Sequence, residues 1–348
     1  MPVQPRVLSQ RQLQRAVLAR QLLSERARLP LPRALERVAG LQSQYAPAMY
    51  IGLWSRLEGF RREDLTGALE ARRVVQATLL RATIHLVSAA DYWPLALAIR
   101  EARRRWWLRA GPRHLPETAI EQAAWRVRTA LASAGTITRK ELDQIAGKDA
   151  VGGLSLWLDL VRVPPSGTWE HRRADRFAAA EDWLGPAPDL SVDAAVDHLV
   201  RRYLTGFGPA TVPEIANWAG LTVGEVAPSL ERSTVRRFVT EDGQPLVDLP
   251  RLPLPDPDTT VPVRFLSTWE TVLLAHARRA GVLAEEDRSR VFSTKTPHSV
   301  STFLVDGVVA GSWRYERGAV TVTPFRPLGA ATMQEVREEG DRLAAFHM

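Results

Sequence analysis

The 348-residue sequence contains no cysteine. That excludes disulfides, thiol nucleophiles and thiolate metal sites. Lysine is almost as scarce: of the 46 basic residues only Lys140, Lys148 and Lys295 are lysines. No apolar run reaches the roughly 18 residues that a membrane span requires. The opening MPVQPRVLSQRQLQ has no apolar stretch of signal-peptide type. A soluble cytoplasmic protein with no membrane partner is the expectation. There is no His-Glu-x-x-His, and the seven histidines are scattered. Gly152-Gly153 lacks the Lys-Ser/Thr partner of a phosphate loop. Neither metal catalysis nor nucleotide hydrolysis is expected, and no cofactor is implied.

What the chain does have is apolar substance and positive charge. Hydrophobic residues make up 45%, enough for packed cores, and the length suggests two or three domains. The formal net charge is +7. A high-G+C genome accounts for the preference of arginine over lysine, but it leaves the net charge unexplained. A basic protein attracts polyanions, and nucleic acid is the commonest of them. No basic amphipathic helix with a clean apolar face points to a membrane surface instead.

An internal repeat organises the chain. Thr138 to Gly147 and Thr211 to Gly220 both read T-x-x-E-[LI]-x-x-x-A-G, 73 residues apart. Thr followed three residues later by Glu is a capping box that starts a helix. Ala-Gly closes the helix, with Gly free to take the left-handed cap. A short helix, a tight turn and a second helix make a helix-turn-helix. Amphipathic stretches precede the motifs, at Glu117 to Ser133 and Val192 to Leu204. Helical stretches follow, at Ala150 to Val161 and Thr222 to Arg232. Extended Arg/Val-rich segments come next, at Arg172 to Phe177 and Val235 to Val239. Three helices and a β-hairpin are a winged helix.

A weaker copy precedes both. Leu31 to Gly40 keeps the leucine and the Ala-Gly without the capping box. It lies between a helix over Ser9 to Ser24 and a strand-like run over Val74 to Val87. The last hundred residues differ. They show strand patterns at Val261 to Leu266 and Ser299 to Val305, an Asp306-Gly307 hairpin signal, a return strand over Val308 to Tyr315, and a helix from Thr332 to Phe346. Leu249 to Asp258 is Pro-rich and reads as a linker. The expected fold is α+β and mainly helical. It comprises winged helices over 1–112, 113–188 and 189–258, then a C-terminal β-rich segment with a terminal helix over 259–348.

Gly40-Leu41-Gln42-Ser43-Gln44-Tyr45-Ala46-Pro47 follows the first copy. Pro47 disfavours helix at Ala46. In an extended segment Gln42 and Gln44 point the same way, so both amides are expected to face one pocket. By itself a Gln-x-Gln pair says little, since most glutamines are simply solvated. Arg81, Thr83 and His85 share a face if Val74 to Val87 is strand, either against DNA or as a satisfied polar core. Lys295 and His298 fall in a loop, Ser293 to His298, suited to facing DNA. Arg103 to Arg109 mixes arginines with Trp106 and Trp107, as a helix packed on the body with its arginines either solvated or facing DNA. With no lysine near Gln42 in sequence, a Schiff-base enzyme is not expected.

Leu41 to Gln44, Tyr50 to Leu57, Leu80 to Val87 and Phe303 to Arg314, in this order, resemble the AlkZ-type DNA glycosylases. The likeness covers nearly the whole chain. It implies tandem winged helices that remove N7-alkylguanine lesions, including interstrand crosslinks made by natural-product toxins. The family's Gln–aliphatic–Gln catalytic motif falls on Gln42 and Gln44, with Ser43 in place of the aliphatic residue. Some relatives carry a carboxylate at the second position, so Gln44 resembles the toxin-resistance branch. Arg81, His85, Lys295, His298 and Arg314 are the expected DNA contacts. Double-stranded DNA carrying an alkylated guanine is the expected partner, bound by a monomer and associated with the nucleoid. Because winged helices commonly serve regulators, a non-catalytic DNA-binding protein is the competing expectation, with an interaction scaffold third.

Overall fold

The computed structural model describes residues 5–110, 115–274, 281–292 and 299–348. Within them the fold is α+β and mainly helical. The local signals act as the sequence requires. The Thr138 hydroxyl accepts from the Glu141 N–H, and the Glu141 carboxylate accepts from the Thr138 N–H, at the start of helix Arg139–Ala146. Thr211 and Glu214 do the same for helix Val212–Ala219, which ends on Gly220 in the left-handed conformation. A further box, Thr222 with Glu225, opens helix Val223–Arg232. The weaker copy is helix Leu31–Val38, which has no side-chain cap and ends on left-handed Ala39 and Gly40. A Cβ at Gly40 would fall 3.0 Å from Val87 and 3.1 Å from the Leu86 carbonyl, so both space and φ call for glycine there.

Two expected elements are shorter than the pattern suggested. The helix expected over Ala150 to Val161 is Lys148–Leu154, and Leu160–Arg162 is a strand. Val161 is fully buried in the sheet, so tertiary pairing overrides helical periodicity there. Of Arg172 to Phe177 only the last two residues are in a strand. Before them the chain turns back on itself, with the Gly167 N–H donating to the carbonyls of His171 and Arg173.

The described residues form three sheets. The largest has the order β2 (Leu41–Gln42), β4 (Ile84–Ser88), β3 (Val74–Thr78), β6 (Leu160–Arg162), β7 (Arg176–Ala179), β5 (Ile137–Thr138). It joins two wings. β3 and β4 form the first hairpin, β6 and β7 the second, and β3 pairs β6 through Gln76–Arg162 and Ala77–Val161. A second sheet runs β1 (Arg6–Leu8), β8 (Arg236–Thr240), β9 (Pro245–Asp248), with β1 parallel to β8. The third is antiparallel, β10 (Arg264–Leu266), β11 (Thr302–Val305), β12 (Val308–Glu316), β13 (Ala319–Pro324), with helix Ala330–His347 against it.

The core is not divided unit by unit. Leu18, Ile99, Val161, Leu199 and Leu304 all belong to one apolar cluster, which therefore crosses every expected boundary. Buried ion pairs reinforce the joins. Arg20 and Asp248, both fully buried, pair at 2.7 Å and tie helix Gln10–Arg20 to β9. Arg56 and Glu270 pair at 2.6 Å and tie the end of helix Ala46–Trp54 to the segment after β10. Breaking such a pair leaves a desolvated charge, which typically costs about 3–5 kcal/mol.

Candidate functional site

The Gln-x-Gln segment lies at the edge of the largest sheet. Leu41 and Gln42 pair with Leu86 and His85 across β4, and the Ser43 N–H donates to the Ile84 carbonyl at 2.8 Å. Gln42 is 6% exposed; its N–H donates to the Thr271 hydroxyl at 3.3 Å, and its side-chain amide has no hydrogen-bond partner among the described residues. Thr271 adjoins Glu270, whose carboxylate accepts from Arg56 and from the Val272 N–H. The buried Arg56–Glu270 pair thus stands one residue from the contact that fixes Gln42. Gln44 is exposed, and its side-chain oxygen accepts from the Ile84 N–H at 3.1 Å. With that oxygen engaged, the NH₂ is the end left for other partners.

The expectation of one shared pocket is modified. Gln44 lines a cleft, whereas Gln42 is buried and is not among the lining residues. Pairing with β4 and the cover from Thr271 account for the difference. Pro47 does not hold Ala46 extended either. Helix Ala46–Trp54 starts there, with Tyr45 as its extended cap and Pro47 in the first turn, where the missing N–H is not needed. Ser43 is fully buried, and its hydroxyl has no partner among the described residues. An aliphatic residue would suit that position without leaving a polar atom unpaired.

The cleft has a volume of about 1000 Å³. Gln44, Tyr45 and Ile84 form one side. Arg139, Lys140, Lys148, Arg172 and Arg173 come from the second wing and its helices, with Arg162 and Phe177 from β6 and β7. Against these cations stand Asp143, which already pairs with Arg139 at 2.7 Å, and Asp175, which accepts from the Ser166 hydroxyl. Arg162 packs over the Phe177 ring at 5.3 Å and donates to the Thr78 hydroxyl at 3.1 Å. Burial lowers its pKa to about 10, and no carboxylate among the described residues pairs with it. Such a surface attracts a polyanion, and Arg forks and Lys ammoniums are suited to phosphate oxygens. A separate cavity of about 350 Å³ has a mixed lining, with Leu13, Val17, Val272 and Val282 beside Glu214, Glu241 and Asp242, and no arginine or lysine.

Sequence reasoning put no lysine near Gln42. The fold corrects this, because Lys140 and Lys148 line the cleft that Gln44 lines. They lie about a hundred residues away in sequence and arrive through the β3–β6 junction. Tyr45, Arg162, Arg172 and Arg173 were missed as well. The only sequence signal for them was the arginine density of the second wing.

Other expected contacts are placed elsewhere. Arg81, Thr83 and His85 do not share a strand face. Arg81 sits in a tight helical turn between β3 and β4 with φ 50°, and donates to the Trp218 carbonyl at 2.8 Å. His85 is 1% exposed. Its Nδ1–H donates to the Thr83 carbonyl at 3.0 Å, and burial, aided by the nearby Arg81 and Arg103, pushes its pKa down to about 3. Arg314 is exposed on β12, 3.7 Å from Glu316, and does not line the cleft. Lys295 and His298 lie outside the described residues.

The arginines of the Trp-rich stretch divide, with Arg103 and Arg104 turned inward and Arg105 and Arg109 exposed. Arg103 donates to the Thr78 carbonyl, Arg104 to the Leu156 carbonyl, and Arg105 pairs with Glu225. A Cβ at Gly153 would fall 2.7 Å from Trp107 Nε1, so the glycine pair makes room for that indole. Among the described residues no group of acidic or His side chains could hold a metal ion, and no helix is long and apolar enough to cross a membrane.

Comparison with known proteins identifies the family. The chain is 23% identical to the interstrand DNA cross-link repair glycosylase of Streptomyces sahachiroi, over 94% of this chain and 93% of that protein. The solved structure of Streptomyces sahachiroi DNA glycosylase AlkZ superimposes with a TM-score of 0.82 at 20% identity, covering 98% of this chain and 97% of that one. The family described as DNA glycosylase AlkZ-like matches residues 35–346. The chain therefore belongs to the AlkZ-like family of DNA glycosylases, enzymes that hydrolyse the N-glycosidic bond.

Proposed function

We propose that this glycosylase excises bulky N7-alkylguanine from double-stranded DNA and unhooks interstrand crosslinks at such guanines, giving self-resistance to a DNA-alkylating natural product. The observation that carries the reading is a neutral amide, Gln44, set in a strongly cationic cleft. Guanine alkylated at N7 is already positively charged, so it departs without a strong acid. The sugar becomes oxocarbenium-like, and a positioned water completes the hydrolysis. An amide can accept a hydrogen bond from that water through its oxygen and donate one to it through its NH₂. With the Gln44 oxygen engaged by Ile84, Gln44 supplies the donor in the cleft, and in this reading the acceptor is the unpaired amide of Gln42, two residues before it at the sheet edge. Positioning and preorganised dipoles of this kind supply several kcal/mol without a titratable base. In this reading the enzyme acts as a monomer.

Lys140 and Lys148 are exposed and lack the desolvation that activates a Schiff-base amine. They act as phosphate contacts in this reading, and the enzyme is monofunctional.

The test is single-turnover excision from a duplex carrying N7-alkylguanine, with melting of each variant alongside. Gln42→Ala and Gln44→Ala should each slow the chemical step by roughly 2–4 kcal/mol while DNA binding stays nearly unchanged. Normal excision by both would remove them from the active site. Borohydride should trap no covalent complex, whereas a trapped complex lost in Lys140→Ala or Lys148→Ala would replace the monofunctional mechanism with a lyase.

A further inference from the structure

Tyr45 is the one exposed residue among the five tyrosines of the chain. It is 43% exposed, while Tyr50, Tyr92 and Tyr203 are buried and Tyr315 is half-buried. Leaving that much aromatic surface in water forgoes burial that the other tyrosines obtain. Its position is specific. It follows Gln44 directly, caps helix Ala46–Trp54 in extended conformation, and lines the cationic cleft. The other aromatic lining the cleft, Phe177, is buried beneath Arg162.

The Tyr45 ring is also held in place. Arg172, from the loop before β7, donates to the Tyr45 hydroxyl at 3.0 Å. A tyrosine has two side-chain torsions, and fixing its far end sets the ring without covering its faces. A rigid, open aromatic face among cations is what a nucleobase displaced from its stack would meet.

We propose that Tyr45 is the stacking residue of this cleft: its ring packs on the base beside the lesion once the damaged nucleotide has left the helix, and so holds the gapped duplex open next to Gln44. The proposal deepens the glycosylase reading and rests on it for the identity of the lesion. Stacking itself requires no bond cleavage. Removing one base–aromatic stack weakens binding by roughly 5- to 150-fold. The arginine contact has a different function, which is to orient the ring.

The experiment uses the full chain with duplex DNA containing a tetrahydrofuran abasic-site analogue and 2-aminopurine as its neighbour on either side. Wild-type binding should quench the 2-aminopurine beside the gap. Tyr45→Phe keeps the ring and should retain both quenching and most of the affinity. Tyr45→Ala and Tyr45→Leu should lose the quench and bind the gapped duplex at least fivefold more weakly. Tyr45 makes no side-chain capping bond, so these variants should fold, and melting confirms it.

Three results overturn the proposal: no quench by the wild type, wild-type quench and affinity in the Ala and Leu variants, or a loss in Tyr45→Phe as large as in Tyr45→Ala. The last would make the hydroxyl contact to Arg172 the whole role. Excision of N7-alkylguanine by the wild type is measured separately. Its absence alongside a Tyr45-dependent quench would sink the enzymatic reading and leave the stacking intact.

Discussion

Substituting Glu270→Gln offers a sharp check on how the site is held. The Glu270 and Arg56 side chains are 2% and 1% exposed, and their contact is 2.6 Å. Arg56 also donates to the Gly52 carbonyl at 2.9 Å. Glutamine keeps the volume and one acceptor oxygen but removes the charge. Unit charges about 4 Å apart at an effective dielectric near 20 attract by about 4 kcal/mol. Losing one partner of a buried pair costs about 3–5 kcal/mol, so the two estimates agree. For a chain of this size the melting midpoint should fall by about 5 °C. Arg56→Met should cost a similar amount, because it strands the carboxylate instead. The double variant, with no charge left to strand, should lose at least 2 kcal/mol less than the sum of the singles. Thermal or urea melts of the four proteins decide the matter. Glu270→Gln melting with the wild type, or additive losses in the double variant, would refute the view that this pair is electrostatically coupled. Thr271→Val tests the adjoining contact: it should slow excision by removing the acceptor of the Gln42 N–H while melting close to wild type.

Ser43→Val should raise stability by about 1 kcal/mol, since it replaces a buried hydroxyl without a described partner; equal or lower stability by urea melting would mean that the hydroxyl is satisfied. Duplex affinity should fall steeply with salt, and Arg173→Ala should reduce the slope of log K against log salt by about 1; an unchanged slope would remove Arg173 from the phosphate contacts. His85 is held neutral, with its pKa lowered to about 3 against about 6.5 when unfolded. Between those values the unfolded chain binds the extra proton. This stabilising effect is therefore complete above pH 6.5 and declines as pH falls towards 3, by at most about 1.4 kcal/mol per unit. Comparing the pH dependence of unfolding in wild type and His85→Asn should show a shallower acid slope in the variant, and identical slopes would contradict the burial.

The parts of the fold that could be read directly were the local ones. A capping box needs only Thr and Glu three apart, so Thr138 and Thr211 announced their helices, and Thr222 could have been read by the same rule. Asp306-Gly307 announced its hairpin, with φ of 45° and 79°. β13 had a signal too, in the alternation of Ala319 to Pro324, but it lay beyond a turn at Arg317-Gly318 that the pattern reading passed over. The cleft was illegible for a different reason. Gln44 and Lys148 meet because Gln76 pairs with Arg162, and nothing local in either strand names its partner. His85 misled in the same way. Alternation placed it on a common face with Arg81, but a tight turn at Leu80–Ala82 ends the strand pattern between them, and the imidazole lies inside the sheet's packing.

The shared sheet has a mechanical consequence. The two sides of the cleft hang from strands hydrogen-bonded to each other through β3 and β6, so widening the slot along that line would have to break strand pairing. A jaw held in this way leaves the deformation to the duplex. Bending a site of 20–30 base pairs costs on the order of 1–6 kcal/mol. A helix already distorted by a bulky adduct or a covalent tie between its strands has met part of that cost before it arrives. A rigid slot would therefore sort DNA by how readily it yields, passing over sound duplex without having to read its sequence.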